Sequence, residues 1–359
     1  MIAAACLITI LLAGCGAEQQ NSMTAADTTA PTIEQTAAPT PVPTPVPTPV
    51  PTPEPTPFSI VWMSDTQTMS KSERLSAAIQ PMFDWAVQNR EAESIQLVVH
   101  TGDIVENGWN DTYWSRISPA IDSLGDIPFV PAAGNHDVAK KRGGYEPLQK
   151  QGFIQRQDPD CQYKDGAGYY VRFSAGGMDV LVLALGYLSI DEDGFAWARS
   201  VFDANPDCYG ILAVHSYLSY MGPRTSTLTP RGQRCRDGIV AQCKNVRLVL
   251  CGHVKEDARY EETFDDDGDG VAERLVTALR HNDQSAKRLT RIGYLRLLTF
   301  DPLARRITVT DYSPVFRKGQ NECLWNAGVA GRDRKCVLIS KTVQVGNAQR
   351  HCILRGRRN

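Results

Sequence analysis

From Pro39 to Pro57 every second residue is proline, and most of the residues between are threonine or valine. Proline fixes φ and removes an amide donor, so neither a helix nor a paired strand can run through such a stretch. The pattern predicts an extended polyproline spacer that rises about 3.1 Å per residue. It confines any packed domain to the residues that follow. No apolar periodicity appears anywhere from Ala17 to Pro57, and 16–57 reads as a disordered Thr/Pro-rich linker.

Ahead of the linker, Ile2 to Leu12 is an apolar run too short to span a bilayer, and it ends in Leu12-Ala13-Gly14-Cys15. Small residues before a cysteine at that place resemble the lipobox of bacterial lipoproteins. The resemblance implies a signal peptide over 1–15, a lipidated Cys15 and a domain held by a stalk on the extracytoplasmic face of the cell membrane. A plain signal peptide or short anchor is the simpler reading. Ten cysteines fit export: Cys6 and Cys15 fall in the signal, and the other eight could form disulfides in an oxidising compartment. Cys235 with Cys243 and Cys323 with Cys336 are the nearest pairs. No CxxC pair occurs, which argues against a thiolate zinc knot. The net charge of −2 gives no reason to expect specific nucleic-acid binding, and nothing in the sequence fixes the oligomeric state.

The folded body begins at Phe58. Short apolar runs at Phe58–Met63, Ile95–His100, Pro128–Val130, Gly210–Val214 and Val246–Cys251 read as buried strands. Tyr169–Phe173 and Asp179–Leu185 read as neighbouring strands around a Gly176-Gly177 turn. Leu75, Ala78, Ile79, Met82, Phe83 and Val87 recur at helical spacing over Ser70–Asn89, and Phe195–Phe202 predicts a shorter helix. Alternation of strands and helices argues for an α/β layered domain. Tyr260–Leu279 and Tyr294–Tyr312 look like antiparallel strand pairs.

Five of the predicted strands run into polar blocks: Asp65-Thr66-Gln67, Gly102-Asp103, Gly134-Asn135-His136-Asp137, His215 and Gly252-His253. Strand C-terminal ends are where α/β sheets present functional loops. Hard oxygen donors mixed with imidazoles suit divalent first-row metals. The glycines before Asp103, Asn135 and His253 allow sharp turns at a crowded centre. His100 reads as a strand residue pointing away from that centre.

The order of these blocks resembles that of the calcineurin-like metallophosphoesterases over roughly Phe58 to Pro314, with Gly-Asn-His-Asp the most specific block. The resemblance implies an α/β fold of two stacked mixed β-sheets flanked by α-helices. It also implies a hydrolase of phosphomonoesters or phosphodiesters carrying one or two divalent ions, with Fe, Mn or Zn suiting the donors. By that likeness Asp65 and Gln67 bind the first metal, and Asp103 bridges both. Asn135, His215 and His253 complete the second. His136 protonates the leaving oxygen and Asp137 orients its imidazole. Two cations about 3.5–4 Å apart acidify a shared water, and the hydroxide attacks phosphorus in line.

One position departs from the family pattern. Its last block reads Gly-His-x-His, and this chain has Gly252-His253-Val254-Lys255. A protonated lysine cannot ligate and repels a nearby cation. The first metal then binds weakly, or Lys255 stands in for it, or catalysis is lost and the protein is a surface binding protein of the same fold. His281 is a distant substitute donor. Asp265, Asp267, Asp269 and Gly270 fit the first positions of a calcium loop but lack its closing glutamate, leaving a polar hairpin turn or weak calcium binding. The stretch 315–359 holds ten Lys or Arg against Glu322 and Asp333. It reads as a disulfide-held appendage or a basic patch for an anionic polymer.

Overall fold

A computed structural model describes residues 54–140, 143–164, 166–221, 226–283 and 293–315, and the backbone of 340–344. The Cys15 anchor, most of the linker and tail, and the Cys323–Cys336 pair lie outside these residues.

Fifteen strands form the framework. They are β1 (Phe58–Met63), β2 (Ile95–His100), β3 (Phe129–Pro131), β4 (Gln162–Tyr163), β5 (Gly168–Ala175), β6 (Met178–Leu185), β7 (Tyr209–Val214) and β8 (Leu218–Tyr220). Then come β9 (Ser226–Leu228), β10 (Val246–Cys251), β11 (Ala258–Phe264), β12 (Arg274–Arg280), β13 (Leu295–Asp301), β14 (Arg306–Tyr312) and β15 (Ser340–Gln344). One sheet has the order β15-β14-β13-β1-β2-β3, a second β11-β12-β10-β7-β6-β5-β4, and β8 pairs with β9 apart from both. Both large sheets are mixed. β1, β2 and β3 run parallel, as do β6, β7, β10 and β12, while the outer pairs are antiparallel. The expectation of an antiparallel region at Tyr260–Leu279 therefore holds for β11–β12, but β12 runs parallel to β10 on its other side.

Side-chain alternation shows how the layers pack, because successive residues of a strand face opposite sides. Ile60, Trp62, Leu97 and Val99 of the first sheet meet Val180, Val182, Ile211, Ala213, Leu248 and Leu250 of the second in one core between the sheets. Their neighbours Val61, Met63, Ile95 and Val98 face outward against Ile79, Met82 and Phe83 of a helix. On the opposite side Leu181, Leu183, Leu212, Val214 and Val249 cover Phe195, Ala198 and Phe202 of the helix Glu192–Asp203.

The predicted helix over Ser70–Asn89 is instead three: Gln67–Lys71, Glu73–Ser76 and Ile79–Gln88. Ser72 takes extended backbone and its Oγ accepts from Leu75 N, capping the second piece. Pro81 is tolerated only in a first turn, which a start at Ile79 provides. Cys235 and Cys243 are not joined; both thiols are free and buried in the outer core of the second sheet. Residues 340–344 extend the first sheet beyond residue 314 by pairing with β14. Among the described residues no helix is long and apolar enough to cross a membrane.

Candidate metal centre

The loops leaving β1, β2, β3, β7 and β10 meet at one end of the two sheets. His215 follows β7 of the second sheet, and its Nδ1–H donates to the Thr101 carbonyl of the first sheet at 2.7 Å. His253 follows β10, and its backbone N–H donates to Asp65 Oδ2 at 3.1 Å. Asp65, Asp103 and His253 all adopt left-handed backbone, with φ of 55°, 52° and 68°. Such conformations cost about 1–3 kcal/mol each and persist where the surroundings over-determine them. Close approach tightens the site further: a Cβ on Gly134 would lie 2.3 Å from Asp103 Oδ1.

His215 Nε2 is the point of convergence. Asn135 Oδ1 lies 3.1 Å from it, Asp103 Oδ1 3.2 Å and His253 Nδ1 3.1 Å. The Thr101 bond fixes the proton on Nδ1 and so turns Nε2 inward, the usual arrangement of a ligating histidine. Asp103, His215 and His253 form a group able to hold an ion. Burial alone would push His215 down, but Asp103 beside it outweighs this and holds the imidazole up at about 9. His253 moves the other way, to about 4, through burial and then the charge of His215. Burial raises the Asp103 carboxyl, yet the His215 charge more than compensates and leaves it below its ordinary value.

Asp65 and Gln67 sit beside this group and are fully buried. Gln67 Nε2 donates to Asp103 Oδ2 at 3.1 Å, and Asp65 Oδ2 accepts from Ser64 Oγ at 2.6 Å. The remaining oxygens, Asp65 Oδ1 and Gln67 Oε1, are buried without a hydrogen-bond partner. Buried orphaned acceptors are rare and call for a reason. Two of them on the residues expected at a first metal fit a divalent cation. Burial holds the Asp65 carboxyl up at about 7.

His136 is part-exposed and its Nδ1 lies 2.8 Å from the Glu106 carbonyl and 3.7 Å from the Glu106 carboxylate. Asp137 does not orient it. Both Asp137 oxygens accept backbone N–H groups, from Gly134 at 2.8 Å, Val105 at 2.9 Å and Ile104 at 3.2 Å. It is a loop clamp, pushed up to about 7 by burial and by Asp103. Glu106, three residues after Asp103 on the same loop, takes the positioning place and in turn pairs with Lys71 at 3.1 Å. The bond comes from the Glu106 backbone carbonyl, so no side-chain pattern signals it.

His100 is a buried strand-end group. It accepts from Gly102 N at 3.1 Å and meets Thr66 Oγ1 at 3.1 Å, tying the first two loops together. Lys255 is exposed, unlike the buried Asp65 and Gln67. His281 is drawn elsewhere. Its ring contacts Asp257 at 3.4 Å and packs edge-on against Trp62, in a cluster where Arg296 pairs with Asp257 and Asp311. In the β11–β12 hairpin the carboxylates of Asp265, Asp267, Asp269 and Glu273 lie together, with Asp265 accepting from Gly268 N and Gly270 N. The turn is closed by these internal bonds.

The sequence profile of the calcineurin-like phosphoesterases matches residues 58–257. The uncharacterized protein YvnB of Bacillus subtilis (strain 168) is 36% identical over 264 residues, 72% of this chain. The chain spans 20% of YvnB's length. The probable glycerophosphodiester phosphodiesterase GpdQ of Arcobacter nitrofigilis is 24% identical over 204 residues, covering 54% of this chain and 71% of that protein. Among solved structures, purple acid phosphatase PPD1 from yellow lupin seeds aligns with a TM-score of 0.48 at 13% identity, over 73% of this chain and 52% of that one.

Proposed function

We infer, because this chain belongs to the calcineurin-like phosphoesterase family, that it hydrolyses phosphate esters at a divalent metal centre held by Asp65, Gln67, Asp103, Asn135, His215 and His253. Its two stacked, helix-flanked sheets are the fold of that family. The observation that carries the reading is the pair of orphaned buried oxygens on Asp65 and Gln67 beside the Asp103–His215–His253 group. Metal at such a site supplies an acidified water and positive charge for phosphoryl oxygens.

The chain's own residues do the rest. Asp103 offers two carboxylate oxygens, one toward His215 and one toward Gln67. Gln67 and Asn135 add oxygen donors without negative charge that would repel substrate. His136, tied through Nδ1 to Glu106, keeps Nε2 for a proton to the leaving oxygen, help worth about 10²–10⁴ in rate. The name of the GpdQ relative makes phosphodiesters the first substrate class to try.

Metal analysis of the purified chain, paired with assays on aryl phosphate mono- and diesters, tests the reading. His136→Ala should slow turnover while metal content stays near wild type. Loss of metal together with activity would place His136 among the ligands instead. Metal-loaded wild-type protein that cleaves neither ester class would overturn the hydrolase and leave the binding protein.

A further inference from the structure

Arg231 sits in the first turn of the helix Pro230–Cys235, whose Thr229 cap accepts from Gly232 N at 2.9 Å. Its guanidinium lies over the Tyr187 ring, with Cζ 3.9 Å from the ring centroid. Its Nη1 donates to the Tyr187 carbonyl at 3.1 Å. Tyr187 is itself part of the centre's wall. The ring is 6.1 Å from that of His215 and 6.2 Å from that of His253, and the Tyr187 N–H is bonded to the Ala133 carbonyl at 2.8 Å, just before the Gly134-Asn135 block. Arg231 is half-buried, and among the described residues no carboxylate pairs with it. Its charge is one of those that hold His253 low, after burial, His215 and His136.

We propose that Arg231, pre-oriented on Tyr187, binds the non-bridging oxygens of the substrate phosphoryl group. The proposal rests on reading the centre as a phosphoesterase. A guanidinium presents five N–H donors in one plane, and only one of them is engaged by Tyr187. The free edge matches two phosphate oxygens, which a lysine ammonium cannot do. Cation–π contact with the ring and the bond to the Tyr187 carbonyl hold the guanidinium in place. A half-buried cation seated on Tyr187, whose ring in turn neighbours those of His215 and His253, is suited to an oxyanion that arrives from solution.

The test is binding of inorganic phosphate to the metal-loaded full chain, followed by calorimetry and so read without turnover. Arg231→Ala should weaken phosphate binding about 10- to 100-fold, the range for a charge-assisted hydrogen bond, with metal content unchanged. Arg231→Lys should recover only part of the loss, because charge returns without the fork. If Arg231→Ala does not fold, Arg231→Gln removes the charge at similar length and carries the same comparison. Phosphate binding as tight as wild type in Arg231→Ala or Arg231→Gln overturns the assignment, as does metal-loaded wild type that binds no phosphate. Wild type that binds phosphate through Arg231 yet hydrolyses no ester would overturn the hydrolase reading and leave the anion site standing.

Discussion

Gly252→Ala puts the crowding at the centre to a direct test. A Cβ at Gly252 would lie 2.2 Å from Asp65 Oδ2 and 2.2 Å from Ser64 Oγ. Favourable contacts between heavy atoms need about 3.5 Å, so roughly an ångström must be gained. Neither neighbour can swing away: Ser64 is 1% exposed and Asp65 0%. If the carboxylate moves, Asp65 Oδ2 leaves both Ser64 Oγ and His253 N. If the backbone moves instead, the Gly252 N–H bond to the His215 carbonyl at 2.9 Å is lost. One or two buried polar groups lose a partner either way, at about 1–3 kcal/mol each, so we expect a loss of about 2–5 kcal/mol. In a domain of this size each kcal/mol moves Tm by about 2–4 °C, giving a fall of about 5–15 °C in the metal-free protein by scanning fluorimetry. Affinity for the divalent ion proposed beside Asp65 should also fall at least about tenfold. Gly252 does not have positive φ, so without crowding the alanine would stabilise by about 0.4–1 kcal/mol through the unfolded chain. A Tm equal to or above wild type would refute the packing argument.

Two further outcomes follow from the site. Asp137→Ala strands the N–H groups of Gly134, Ile104 and Val105 and should cost about 3–5 kcal/mol in denaturant unfolding, with Asp137→Asn losing less; equal stability of the alanine variant would remove Asp137 from its clamp role. The Asp65 carboxyl, held up at about 7 by burial, and the His215 imidazole, held up at about 9, must each lose a proton to a cation, so apparent metal affinity should climb steeply toward 7 and then by up to about tenfold per pH unit toward 9. Because the folded value is above the unfolded one, the contribution of protonated Asp65 to the stability of the metal-free protein is full at low pH and is lost as pH rises through about 7. Chelator competition between about pH 5 and 8 checks the affinity, and a flat profile would exclude Asp65 as the titrating ligand.

Much of the framework was legible because local signals agreed with the fold. The runs Phe58–Met63, Ile95–His100 and Val246–Cys251 are strands with those bounds, and the polar blocks behind them meet in space. The apolar stripe of Ser70–Asn89 gave the buried face of its helices but not their breaks, which depend on the Ser72 cap and on where Pro81 can sit. The family likeness assigns Asp137 the orienting of His136. In a helical turn the two side chains diverge, and the orienting oxygen comes from Glu106 on another loop. Cys235 and Cys243 looked like a pair by spacing, yet both pack as apolar side chains in the outer core. The positions of Lys255, His281 and Arg231 depend on contacts between loops far apart in sequence, which no local pattern encodes.

The seam at which the two sheets meet has a consequence for assembly. Asp103 comes from one sheet and His215 and His253 from the other. An ion held among them, as proposed, would be a reversible cross-link closing chain loops of more than a hundred residues. Loops of that length lose the most freedom when tied, about 4–5 kcal/mol on a chain-entropy scale, and the linkage exists only once the layers have docked. Ion occupancy would thus come late in folding and favour the assembled sandwich over either sheet alone. Chelation should therefore act less on secondary structure than on the cooperativity with which the layers separate.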